Sequence, residues 1–63
     1  MCESNVYLKK DGSEELIMEN VAAILPVEEN TFLLKGLLGE SMEVRAVIEE
    51  INLMGHRIVL NAL

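Results

Sequence analysis

From Ser4 to Lys10 the chain alternates, with Val6 and Leu8 on one side of an extended segment and Asn5 and Tyr7 on the other. A period of two is the signature of a half-buried strand. Asp11-Gly12 follows directly, a dipeptide suited to the positive φ angles of a tight hairpin turn, so a second strand should begin at once. The next run, Glu15 to Val27, keeps no clean period. Wound as a helix it puts Leu16, Asn20 and Ala23 on one stripe, which is a poor apolar face. Pro26, near its end, confines any strand there to a sheet edge. Glu28-Glu29-Asn30 reads as a polar corner. Thr31 to Leu38 opens β-branched and carries Phe32 and Leu34 on one face, which predicts another strand.

Gly36 and Gly39 bracket Leu37-Leu38, and glycine within a strand marks a bulge or a sharp bend. Ser41 to Glu50 fits two readings. Met42, Val44, Ala46 and Ile48 alternate with Glu43, Arg45 and Glu49 as in a half-buried strand, whereas the glutamates favour a helix. The surrounding strands favour the first. Asn52 to Gly55 predicts a turn with Gly55 as the residue able to take positive φ, and His56 to Leu60 is a β-prone closing strand. Five or more short strands with glycine bends predict an all-β fold, a small and strongly bent barrel forming one domain over residues 1–63.

Composition changes this picture in one respect. A chain of 63 residues buries only about 60% of its unfolded surface and is marginally stable alone. Its single cysteine cannot form an internal disulfide, yet 51% of its residues are hydrophobic. The excess predicts burial against a second copy, with Leu37, Leu38, Val44 and Ile48 as candidates for the contact. Charge restricts other partners. Eleven acidic against five basic residues give a net charge of −6, and of Lys9, Lys10, Lys35, Arg45 and Arg57 only the lysine pair is clustered. Phosphate backbones are held by cations, so nucleic acid is disfavoured. Tyr7 and Phe32 do not make a stacking platform for bases. No apolar run approaches the ~20 residues of a membrane helix, and no basic stretch leads into an apolar one at the start, so the cytoplasm is the expected location.

Little in the chain carries chemistry. Cys2 follows the initiator methionine, whose removal would leave an α-amine and a thiol on one residue. These close a five-membered chelate ring on a metal, and two such termini across a twofold axis offer two nitrogens and two sulfurs. That set suits square-planar Ni(II) or tetrahedral zinc. The main-chain amide nitrogen of Cys2 or Glu3 is a further donor if it loses its proton. Against this stands the plain reading of Cys2 as an incidental residue at a frayed terminus. His56 is the only histidine, at a turn entering a strand, where a ring hydrogen bond to the backbone is expected rather than a metal. Met18, Met42 and Met54 read as core filler. The pairs Glu14-Glu15, Glu28-Glu29 and Glu49-Glu50 read as solvated faces. Ser4 has no histidine partner, and no glycine-rich phosphate loop occurs. The chain is not expected to be an enzyme.

The opening Met1-Cys2-Glu3-Ser4-Asn5-Val6-Tyr7 resembles the start of the CooT family of small nickel-binding proteins. The Asp11-Gly12 turn, the acidic run before Ile51 and the ending Gly55-His56-Arg57-Ile58-Val59-Leu60 extend the resemblance over essentially the whole chain. It implies an SH3- or Sm-like β-barrel, a homodimer, and one Ni(II) at the dimer interface with Cys2 as the key ligand; Cys2 and Glu3 are the candidate metal residues. It also implies an accessory role in storing nickel or delivering it to a nickel enzyme such as carbon monoxide dehydrogenase. Two alternatives are a protein-interaction barrel without a metal and an Sm-like RNA-binding barrel. The acidic balance weighs against the last.

Overall fold

The computed structural model describes residues 3–63. Five strands, β1 (Ser4–Lys10), β2 (Ser13–Glu28), β3 (Thr31–Gly36), β4 (Ser41–Asn52) and β5 (Arg57–Ala62), close into a barrel in chain order. Each consecutive pair is antiparallel, and β5 closes the ring by running parallel to β1, with Val6 opposite Ile58 and Leu8 opposite Leu60. The all-β, strongly bent barrel expected from the sequence is the fold.

Two long strands make closure possible with so few elements. β2 pairs through Ser13–Val21 with β1 and through Val21–Glu28 with β3, so it belongs to both walls of the barrel. β4 does the same, pairing through Ser41–Arg45 with β3 and through Ala46–Asn52 with β5. The bend in β2 is produced where its register with β1 slips twice, between Ser4 and Val6 and again between Val6 and Tyr7. Asn20 sits in this stretch at φ 54, a left-handed conformation that asparagine tolerates better than most residues. Its N–H donates to Asn5 Oδ1 at 3.2 Å, which holds the bend against β1. Pro26 pairs opposite Phe32, in the half of β2 that has only β3 as a neighbour. A residue without an N–H is harmless at such an edge.

The turns follow from residues that accept positive φ. Asp11 and Gly12 lie at φ 53 and 83, as a two-residue hairpin of the mirror-image kind requires. Asn30 takes φ 55 in the polar corner. β3 ends at Gly36, so Leu37 and Leu38 belong to a turn and not to the strand expected to reach Leu38. Gly39 there adopts φ 99, with open space where a Cβ would stand. Gly39→Ala should therefore cost about 1–2 kcal/mol from backbone strain alone, read as a lowered urea midpoint. A neutral result would show that the turn relaxes to another conformation. The β4–β5 turn corrects a second expectation: His56, not Gly55, carries the positive angle, φ 55. Gly55 lies close to Asn52: its N–H donates to Asn52 Oδ1 at 2.9 Å, and a Cβ there would stand 3.3 Å from that amide group, which would have to give by a few tenths of an ångström.

The core cluster is Val6, Met18, Val21, Leu34, Ala46, Ile58 and Leu60, with Leu8, Ile17, Ile24, Phe32 and Val44 packed around it. Val59 lies between two core residues and so faces the opposite side, yet it is only 1% exposed. It stands in register with Tyr7 on β1 and Glu50 on β4. On this outer face the Arg57 guanidinium stacks 4.7 Å from the Tyr7 ring centre and pairs with Glu14, while Lys9 pairs with Glu49 at 3.1 Å. Arg57 is held above its ordinary pKa, chiefly by its hydrogen bond to Glu14. A raised cation stabilises the fold at every pH below its unfolded value and loses that effect only as pH climbs through the folded value, here in strong alkali. Arg57→Ala should lower Tm by removing stack and ion pair together, and Arg57→Lys should restore only part of it.

Candidate metal centre

Of the two candidate metal residues, Cys2 lies outside the described residues. Glu3 is half-buried and immediately precedes β1. The surroundings of this start are well defined. Ser4 is 4% exposed and pairs with Val21, and Asn5 donates its N–H to the His56 carbonyl at 2.9 Å. Asn20, held by Asn5, accepts through its carbonyl the N–H of Leu37 at 2.9 Å. A series of hydrogen bonds thus ties the start of β1 to the bend of β2, the β3–β4 turn and the β4–β5 turn.

Beside this start runs an apolar groove of about 230 Å³, lined by Ser4, Val21 to Ile24, Leu53 and Ile58. None of its lining residues is charged, in a chain where 25% are. The turns next to it project apolar side chains into solvent: Leu53 is 68% and Met54 94% exposed in the β4–β5 turn, and Leu38 is 89% exposed in the β3–β4 turn. Only Met18 of the three methionines expected in the core is buried there. Met42 is 39% exposed at the open end of β4, and Met54 sits on a turn tip where no core reaches.

Among the described residues His56 finds no partner for the ring hydrogen bond expected of it. It is exposed and works through its backbone, donating its N–H to Leu53 O at 3.3 Å and accepting from Asn5. Among the described residues no three His, Cys, Asp or Glu side chains gather as a metal cage. The glutamate pairs lie on exposed faces, but Glu14 and Glu49 are engaged with Arg57 and Lys9. Leu37, Leu38 and Ile48, expected at a contact between copies, are exposed, whereas Val44 packs on the core. The groove itself was not legible in the sequence, because its walls come from four segments, β1, β2, the β4–β5 turn and β5, that only the closed sheet brings together. Among the described residues no helix is long and apolar enough to cross a membrane.

The comparison with known proteins agrees with this architecture. The family model described as CO dehydrogenase accessory protein CooT matches residues 1–61. A crystal structure assigned to CooT from Carboxydothermus hydrogenoformans superposes with a TM-score of 0.90 at 32% sequence identity, covering 98% of each chain. No curated protein sequence matches. With a family model spanning all but the last two residues and a solved structure matched from end to end, the chain belongs to the CooT family of CO dehydrogenase accessory proteins, which serve an enzyme rather than being one.

Proposed function

We propose that the protein binds Ni(II) as a homodimer, through the Cys2 thiolate of each chain, and stores the ion or passes it to carbon monoxide dehydrogenase. The observation that carries this reading is the family match, which includes Cys2 and names a client whose chemistry uses nickel. The chemistry of the terminus supports it. A thiolate is a soft donor suited to Ni(II), and an α-amine on the same residue would complete a chelate ring. The main-chain nitrogen of Glu3, once deprotonated, is a further donor. The uncharged groove beside Ser4 supports it as well, since it adds no like-charge repulsion to the approach of two chains of net charge −6. A metal shared by two termini would neutralise charge where the chains meet.

Nickel titration tests the proposal. The expected result is one ion per two chains, with a thiolate-to-nickel absorbance band. Thiol and amine must both lose protons to bind, their reference values being about 8.5 and 8, so affinity should fall steadily as pH drops below neutral. Binding that is indifferent to pH between about 8 and 5.5 would point to ligands other than these. Mg²⁺ and Ca²⁺, which prefer oxygen donors, should not compete.

A further inference from the structure

The second half of β4 is a free sheet edge. Ala46–Asn52 pairs with β5 on one side, and among the described residues no strand pairs with its other side. Beyond the Ala46 N–H, which donates to the Asn30 carbonyl at 2.9 Å, every residue from Val47 to Asn52 is exposed. Residues directly opposite in a ladder share a face. Ile48 stands opposite Leu60 and Ile51 opposite Ile58, so both isoleucines face the side on which those two are buried. Yet Ile48 is 44% and Ile51 54% exposed, because the apolar layer ends at this strand. An exposed apolar edge with unpaired N–H and C=O groups is a template for one more strand.

We propose that this edge takes an extended segment of the client protein as an added strand, its apolar residues over Ile48 and Ile51 and its basic residues on the face of Glu50. From the reading above it takes only that the chain works on another protein, and it does not depend on nickel. Charge selects the occupant. Glu49 and Glu50 stand in this half of β4, and the bond from Ala46 to Asn30 brings the Glu28-Glu29 corner to its start. Lys9 engages Glu49, whereas Glu50, opposite Val59 on the outer face, has no ion pair among the described residues. A second copy pairing here about a twofold axis would set these carboxylates against their own kind, and like charges across a ladder destabilise it. An acidic segment is repelled in the same way. A segment alternating apolar residues with lysine or arginine meets both demands: main-chain bonds and apolar contacts supply affinity, and the side chains on alternate faces supply specificity.

A dye-labelled peptide alternating valine with lysine, long enough to span Val47–Asn52, tests this on the full chain by fluorescence anisotropy. Saturable binding is expected, with amide exchange slowed at Val47–Asn52 in the complex. The same peptide N-methylated at every backbone amide keeps its charges but cannot make the strand bonds, and it should not bind. A peptide alternating valine with glutamate should not bind either. Ile51→Lys sets a cation on the edge and should weaken binding by about tenfold or more with unchanged far-ultraviolet dichroism, while Leu38→Lys on the β3–β4 turn should bind as wild type. Failure of wild type to bind the lysine peptide overturns the proposal. So does binding that survives N-methylation, which needs no variant to fold, or that the glutamate peptide matches. The nickel reading fails separately: Cys2→Ser should bind the peptide as wild type does, so loss of the metal site leaves the edge result standing.

Discussion

Replacing Cys2 by serine is expected to weaken nickel binding by more than the roughly 100-fold that follows from losing a hydrogen-bonding partner of a metal ligand. In the proposed twofold site the loss is larger because it would fall on the ligands themselves, and on two of them at once. A serine hydroxyl stays protonated near neutral pH and offers a neutral, hard oxygen in place of a soft anionic sulfur. The absorbance band of the thiolate should vanish with it. His56→Asn is the matching control. Asparagine tolerates the φ of 55 that His56 holds, so the turn keeps its shape while the imidazole is removed, and most of the affinity should remain. The state of the N-terminus modifies the site, since a retained Met1 would turn the Cys2 amine into an amide; mass spectrometry of the purified chain decides which donor is present. If the serine variant binds one nickel per dimer as tightly as wild type, the thiolate mechanism is wrong.

How much of this protein could be read from its residues varies with the local backbone. β1 and the Asp11-Gly12 turn were legible because a strict alternation runs straight into a dipeptide with one dominant conformation. β2 was not. Its two register slips break the period of two, so that buried Met18 and Val21 stand three apart, a spacing that also suits a helix. β4 kept its alternation as far as the slip between Ile48 and Glu50, and its glutamates line the outside as a strand allows. The turn after it misled because glycine is the ordinary bearer of positive φ, whereas here His56 holds the left-handed angle and Gly55 does not. The methionines misled for a similar reason: their chemistry suits a core, but the barrel is too small to take all three.

The hydrophobic excess could be read as a quantity but not as a place. Among the described residues twelve large apolar side chains are exposed, against seven in the core cluster. A five-stranded barrel has a single narrow interior, so apolar residues beyond its capacity have to lie outside it. Where they lie follows from the bends: the long strands leave their outer halves paired on one side only, and Val47, Ile48 and Ile51 sit on such a half of β4. Composition therefore pointed to a partner, while the faces offered to it emerge only from the closed sheet.

The small interior also makes the fold sensitive to its few central residues. Leu34→Ala and Leu60→Ala should each destabilise the protein by about 2–5 kcal/mol, through lost burial and the cavity left behind. Both leucines are fully buried. Leu34 stands between Ile24 and Met42 in the β2–β3–β4 wall, and Leu60 between Leu8 and Ile48 in the β1–β5–β4 wall. They fill the interior from two walls of the one closed sheet. A 63-residue domain has a total stability of about 3–9 kcal/mol. Either change should thus remove a large share of it, and the larger estimate unfolds the chain at room temperature. With a urea slope of about 1 kcal/mol/M for a domain this size, the midpoint should fall by 2 M or more. Protein concentration must be held fixed, since a dimer gains stability by mass action. Leu38→Ala, at a side chain 89% exposed, should change the midpoint by less than about 0.5 M. Equal effects at Leu38 and Leu34 would mean that the turn leucine is covered in solution and that the partner's surface extends to it.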